Sequence, residues 1–247
     1  MRYRADQLLL KQGLVSSRER AQVLILAGQV FSSKGRIDKS SQMLDEAEPL
    51  EVREGLKYVG RGGIKLEHAL KEFEVKVLDK ICLDIGASTG GFTDCLLQQG
   101  ARKIYSVDVG YGQLHYKLRE DPRVVMLEKI NFRYVNSDKI SEPIDLVVAD
   151  VSFISLDKII PRLKIFLAPQ GRALVLVKPQ FELQPSEVRK GVVRSEDLRN
   201  KALEKIKGVI AESGFYLKGM TPSPIKGADG NQEYFLVFSF FSAKVLS

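Results

Sequence analysis

The stretch DIGASTGGFTDCLL, residues 84–97, sets an aspartate at the end of an apolar run and three glycines ahead of a helical pattern. Glycines at Gly86, Gly90 and Gly91 let a ligand approach the backbone, and a helix N-terminus behind them offers unpaired N–H groups. Three ligand chemistries compete for such a loop. A phosphate-binding loop needs Gly-Lys-Ser/Thr so that lysine reaches phosphate, but the run here is Gly-Gly-Phe-Thr. A dinucleotide fingerprint spaces its glycines G-x-G-x-x-G, whereas these are spaced G-x-x-x-G-G behind a carboxylate that repels a pyrophosphate. A nucleoside carrying an ammonium and a sulfonium suits Asp84 better, and S-adenosylmethionine has both. Ser88, Thr89 and Phe92 complete the loop. Asp108, at the end of the next apolar run, is placed to accept bonds from ribose hydroxyls. Glu128 to Asn131, after the third run, is expected to flank an adenine.

Four more residues could do chemistry at the other end of that ligand. Asp150 ends the run IDLVVAD, Lys178 ends ALVLVK before Pro179, Glu233 opens EYFLVFSFF, and Lys65 follows RGG near the start of a helix. A hydroxyl is a poor nucleophile until a base removes its proton in the transition state. Lys178 can serve as that base, with Asp150 and Glu233 orienting the two ammonium groups and Asp150 also bordering the cofactor. Cytosine C5 methylation needs a cysteine nucleophile, and Cys82 and Cys95 are badly placed for it. The same two residues read as buried free thiols of a reducing compartment, and no Cys/His set has zinc-ligand spacing.

These residues have to be held by a particular kind of scaffold. ICLDI, IYSVDV, VVMLE, IDLVVADVSF and ALVLVKP read as successive strands. Helical stretches from Thr93 to Gln99 and from Leu156 to Leu167 lie between them, and Ser195 caps a helix to about Ser213. Alternating β and α predicts a parallel doubly wound sheet with its ligand beyond the carboxyl ends of the strands. GFYLKGMTPS and EYFLVFSFF close it as an antiparallel pair. EGLKYVGRGG, residues 54–63, is a glycine-rich joint preceding this region.

Upstream of the joint, residues 1–40 carry eight lysines and arginines against three acids, within a chain of 247 residues and net charge +7. A basic block of this kind suits a polyanionic partner, although a merely solvated face is the alternative. Ala5 to Gln12 reads as a short helix ended by Gly13. Ser16 and Glu19 form a capping box for a second helix, and Val30 and Phe31 begin a hairpin turning at Lys34-Gly35. Two short helices on a small hairpin, with Arg4, Arg18, Arg20, Lys34 and Arg36, resemble the S4 RNA-binding fold over roughly residues 2 to 55.

The set Lys65, Asp150, Lys178 and Glu233 looks like that of the FtsJ-type ribose 2′-O-methyltransferases. With YVGRGGIKLEHAL, VADVSFISL, VKPQFE and KGVVR, the chain is similar to the TlyA family, whose members are named both as hemolysins and as rRNA cytidine 2′-O-methyltransferases. The resemblance implies a Rossmann-like class I methyltransferase sheet with an antiparallel last strand at 64–247, an α+β S4 domain at 1–55 and a linker at 56–63. It implies S-adenosylmethionine as cofactor, no metal, and ribosomal RNA or ribosomal subunits as partner, with cytidine in 23S and also 16S RNA as family targets. Arg61 is expected to help hold RNA. Arg189, Lys190 and Arg194 form either a lid on the RNA backbone or a solvated loop. Phe153 and Phe181 either stack a flipped base or pack in the core, core packing being the favoured reading. No apolar run is long enough to span a bilayer and no secretory signal opens the chain, so a cytoplasmic protein without stable membrane association is expected. Two other functions stay open: an S4-containing ribosome-assembly factor without catalysis, and a membrane-active hemolysin.

Overall fold

The computed structural model describes residues 1–26, 28–52, 57–188, 190–227 and 229–240. The chain divides into two units, Met1–Lys57 and Tyr58–Ser247. In the first, β1 (Arg2–Arg4) leads into α1 (Ala5–Lys11), α2 (Arg18–Leu26), β2 (Val30–Ser32), β3 (Gly35–Arg36), β4 (Met43–Asp45) and β5 (Leu50–Val52). Ala5, Leu8 and Leu9 of α1 meet Ala21, Leu24 and Ile25 of α2 over Val30, Ile37, Leu44 and Leu50. Spacings of three and four bring those side chains onto one face of each helix. The cap of α2 is Ser17, whose Oγ accepts from the Arg20 N–H at 3.2 Å. The expected Ser16 cap is therefore one residue early, because adjacent serines offer the same hydroxyl and only the backbone path selects one. The antiparallel pairing of β1 with β4 was not legible in three-residue strands that lack alternation.

The second unit contains α3 (Gly62–Glu72), β6 (Ile81–Ile85), α4 (Gly91–Gln98), β7 (Lys103–Val107), α5 (Tyr116–Arg119), β8 (Val124–Leu127) and β9 (Ile144–Ala149). These are followed by β10 (Leu167–Val177), α6 (Pro179–Glu182), α7 (Glu196–Glu212), β11 (Phe215–Pro222) and β12 (Tyr234–Phe240). Among the described residues, seven strands form one sheet in the order β11-β12-β10-β9-β6-β7-β8. β6 pairs in parallel with β7 and β9, β9 with β10, and β12 is antiparallel to both β10 and β11. Both faces are covered. Leu83, Ile85, Val147 and Ala149 enter one core, while Cys82, Leu146 and Val148 enter the other. Residues of successive parity on one strand face opposite sides, so central strands must be apolar at every position. Each fully buried Leu, Ile or Val contributes about 1.5–3 kcal/mol. Burial pushes the Cys82 thiol up to about 12, leaving it inert.

Two expectations need correction. The joint at 56–63 is shorter than expected: Tyr58 is buried in the larger core, and the Val59 N–H donates to Asp94 Oδ2 at 2.8 Å. The aromatic ring of Tyr58 ties that segment down, and α3 starts at Gly62, ahead of Lys65. Residues 53–56, which include the start of the 54–63 joint, lie outside the described residues. The stretch Leu156–Leu167 forms two short 3-10 helices, Leu156–Lys158 and Ile160–Ile165, and then enters β10. Pro161 removes an N–H donor there and disfavours an α conformation at Ile160. In the sheet, β9 is the direct neighbour of β6 and β10 lies one strand further out.

Candidate active site

The loop after β6 folds back on the sheet, its Gly86 and Ala87 N–H groups donating to the Val107 carbonyl at 2.9 and 3.2 Å. Gly90 sits at φ +98°, and a Cβ there would stand 2.2 Å from Leu118 Cδ1. A Cβ on Gly86 would stand 2.5 Å from the Asp150 carbonyl oxygen. The loop thus approaches both the β9 end and α5 as closely as backbone allows. A second glycine cluster explains the RGG sequence. A Cβ on Gly91 would stand 3.0 Å from the Gly63 N and 3.2 Å from the Gly60 carbonyl, so the start of α3 lies directly against the start of α4. That contact delivers Lys65 to the loop.

Asp84 was expected to face the ligand; the structure puts it beneath the loop, fully buried. Its Oδ2 accepts from the Thr93 hydroxyl at 2.6 Å, and Thr93 Oγ1 lies 2.8 Å from Ser106 Oγ. Because the Thr93 proton is given to the carboxylate, Ser106 must donate to Thr93. The other carboxylate oxygen has no hydrogen-bond partner. Burial pushes Asp84 up to about 7, opposed by the Thr93 hydroxyl and reinforced by the charges of Asp150 and Asp108. Its influence on a ligand is therefore an electrostatic one through the loop.

Two cavities meet at Gly86. The larger, about 290 Å³, is bordered by Gly86, Asp108, Asn131, Arg133, Ser152 and Phe153. Asp108 is aimed by two backbone donors, the Ser88 N–H onto Oδ2 and the Gly110 N–H onto Oδ1, both at 2.7 Å. Asn131 borders this cavity while its Oδ1 caps the Arg133 N–H at 3.1 Å. Glu128 does not border it. Its carboxylate accepts from Arg119 and from the Gly112 N–H, which buttresses the 110–112 turn from behind. The smaller cavity, about 190 Å³, is bordered by Arg61, Lys65, Ser88, Thr89, Phe92 and Asp150 among others.

The four candidate reacting residues come together as two ion pairs. Lys178 Nζ lies 2.5 Å from Asp150 Oδ1, and Lys65 Nζ lies 2.5 Å from Glu233 Oε2. Lys178 also donates to Ser152 Oγ at 2.9 Å, a partner that no spacing rule would have found. Phe153 does not pack in the core: it is 91 % exposed, at φ +62°, with its ring 5.2 Å from that of Phe181. A non-glycine residue held in the left-handed region carries strain of about 1–3 kcal/mol and tends to mark functional sites. The segment is gripped from below by Glu182, which accepts from the Leu156 N–H at 2.9 Å and from Ser155 Oγ. Among the described residues, no group of His, Cys, Asp and Glu is disposed to hold a metal ion.

In the smaller unit the predicted basic residues divide. Arg4 and Arg18 both bind Asp6, at 3.1 and 3.0 Å. Burial alone would raise that acid, but Arg4, Gln22 and Arg18 hold it well below the usual carboxylate range. Arg36 pairs with Asp38 at 2.7 Å, and Arg20 and Lys34 are exposed. Lys190 and Arg194 are exposed in the larger unit, and Arg189 lies outside the described residues.

A seven-stranded sheet of this order, with a glycine cradle after its first strand and acids at the next strand ends, defines the Rossmann-like methyltransferases. The sequence model of the FtsJ-like methyltransferases matches residues 58–240, and the chain belongs to that family. It is 42 % identical over 238 residues to the 16S/23S rRNA (cytidine-2′-O)-methyltransferase TlyA of Mycobacterium tuberculosis, spanning 95 % of this chain and 89 % of that one. It is 45 % identical over 237 residues to hemolysin A of Brachyspira hyodysenteriae, spanning 95 % and 99 %. A solved structure from Streptococcus thermophilus, also named for hemolysin, superposes with TM-score 0.75 at 42 % identity over 98 % of this chain and 89 % of that one.

Proposed function

We propose that the chain is an S-adenosylmethionine-dependent enzyme that methylates the ribose 2′-hydroxyl of cytidine in ribosomal RNA within the cytoplasm, with 23S RNA the favoured target and 16S RNA the second candidate. The smaller unit then acts as an S4-type dock, with Arg20 and Lys34 free for phosphate and Arg4 and Arg18 aligned by Asp6. The observation that carries the reading is Lys178, whose amine sits at a strand end between Asp150 and Ser152. Those partners fix the direction of the nitrogen, and Lys65–Glu233 supplies a second buried pair at the adjoining cavity.

The residues present fit the cofactor. The glycines let the loop pack closely on Asp150 and Leu118, and the cavities of about 290 and 190 Å³ that meet at Gly86 leave room for a ligand beside it. Asp108 has lone pairs left for ribose hydroxyls beside its two N–H bonds, and the acids Asp84 and Asp150 suit a cationic ligand. Asn131 would flank the adenine, and Ser88, Thr89 and Phe92 the methionyl part. When bound, this cofactor supplies an already activated methyl group, so the protein's work is placement and proton removal. With the cofactor bound, Lys178 Nζ in its neutral form, its own proton first passed to solvent, would take the 2′-hydroxyl proton as the O–C bond forms and the methyl C–S bond breaks, while Asp150 and Ser152 hold that nitrogen in line. Lys65, held by Glu233, and Arg61 at the cavity rim orient the ribose and its phosphate. Phe153, exposed and fixed over Phe181, offers a face on which an unstacked base can rest.

Replacing Lys178 tests this. Lys178→Ala should lower methyl transfer to ribosomal subunits by about 10²–10⁴-fold, the range of a general base, while retaining RNA binding. Undiminished transfer by that variant removes Lys178 from the chemistry. Wild-type protein that binds rRNA without transferring methyl supports an assembly factor instead.

A further inference from the structure

The sequence KGVVR, residues 190–194 with the preceding arginine set aside, forms a turn whose first two residues are both left-handed, Lys190 at φ +51° and Gly191 at φ +75°. Lys190 and Arg194 project into solvent, while Val193 is buried. Two side chains from elsewhere in the fold hold the turn: Arg199 donates to the Arg194 carbonyl at 2.9 Å and the Val193 carbonyl at 3.5 Å, and Asn231 supports the underside. Asn231 is 1 % exposed; its Oδ1 accepts from the Val193 N–H and its Nδ2 donates to the Gly191 carbonyl, both at 2.8 Å. A carboxamide offers one acceptor and one donor side by side, matching a backbone N–H and C=O that face the same way. Aspartate has no donor to replace the second bond.

Asn231 lies two residues before Glu233. Its carbonyl accepts from the Gly227 N–H at 2.9 Å, and Gly227 abuts Glu233 so closely that a Cβ there would stand 2.5 Å from Oε1. The Glu233 carbonyl in turn accepts from the Ser223 N–H at 2.8 Å. The carboxylate that pairs with Lys65 is therefore held by a segment that is also bonded, through Asn231, to a cationic turn.

We infer that Asn231 is a positioning residue that couples occupation of the Lys190–Arg194 turn by an RNA backbone to the placement of Glu233 and, through it, of Lys65. This rests on the ribose methyltransferase reading, which makes Lys65 and Glu233 part of the reacting site. Phosphates on the turn pull on Gly191 and Val193, and the paired bonds pass that displacement to the 227–233 loop. The basic turn then reports substrate arrival to the ion pair, beyond adding affinity.

The test uses the full chain with large ribosomal subunits. Lys190→Ala/Arg194→Ala should raise the KM for subunits about tenfold. Asn231→Ala and Asn231→Asp should lower kcat at saturating subunits tenfold or more while leaving cofactor affinity unchanged. A rise in KM alone, with kcat intact in both variants, means that Asn231 only pins the turn and overturns the coupling. Should both variants unfold, hydrogen exchange on the wild type decides. Subunit binding should slow exchange at the Gly227 and Ser223 amides, and that slowing should vanish in Lys190→Ala/Arg194→Ala. Unchanged exchange at those amides in a bound wild-type complex also overturns it. Exchange does not depend on methyl transfer, so a wild type that binds subunits without methylating them contradicts the enzymatic reading separately.

Discussion

Replacing Asp84 by asparagine isolates the buried charge beneath the glycine loop. The folded protein holds this carboxyl at about 7, against 3.8 for an unperturbed aspartate, chiefly because burial penalises its charged form. Between those two values the native state keeps a proton that the unfolded chain has released. Folding then takes up protons, and stability falls as pH rises from about 4 to about 7. A gap of about 3 pKa units at about 1.4 kcal/mol each makes the ionised group cost at most about 4 kcal/mol above pH 7. Asparagine is neutral throughout and can still accept from Thr93. Asp84→Asn should therefore melt near the wild-type temperature at pH 4.5 and progressively above it toward pH 8.5. At about 2–4 °C per kcal/mol for a protein of this size, even about 1 kcal/mol is readable. The same variant should bind S-adenosylmethionine more weakly at pH 8, because an anion near a cationic ligand has been removed. Circular dichroism melts at half-unit pH intervals, with calorimetry of the cofactor, make both measurements. A difference in melting temperature that stays constant across the range refutes the linkage, and with it the idea that Asp84 carries a perturbed charge.

Three further perturbations follow from the geometry. Gly90→Ala forces a Cβ onto a residue at φ +98° and into Leu118, which should cost about 2–4 kcal/mol in melting experiments and weaken cofactor binding. Phe153→Ala removes a side chain that is 91 % exposed, so stability should change by less than about 0.5 kcal/mol while the KM for RNA rises several-fold. Glu182→Ala leaves the Leu156 N–H without its partner and Lys205 without a carboxylate at 3.3 Å, and denaturant unfolding should show a loss of about 1–3 kcal/mol.

The strands of the large sheet could be read because central parallel strands are apolar at every position, as in ICLDI and ALVLV. The ends of those strands then named Asp84, Asp108, Asp150 and Lys178. Tertiary facts escaped the same reading. That Asp84 faces inward depends on Thr93 and Ser106 closing over it, and parity along β6 does not fix where the following loop runs. Ser152 and Glu182 act across 26 or more residues through a fold-specific approach of two loops, which no local pattern encodes. From the sequence the RGG segment reads only as part of a glycine-rich joint. The use of its glycines is close packing of α3 on α4, a contact visible only once both are placed. For Phe153 residue type alone favours core packing over stacking a base, since aromatic residues are usually buried and exposure here is the informative exception.

In the proposed chemistry Lys178 frees a ribose oxygen to accept a methyl group. Ribosomal subunits incubated with the purified protein and methyl-labelled S-adenosylmethionine, then digested to nucleosides, locate the label directly. The label should appear on the ribose of cytidine as 2′-O-methylcytidine and disappear with Lys178→Ala. Label recovered on a base, or on ribose at an unchanged rate in that variant, contradicts the account.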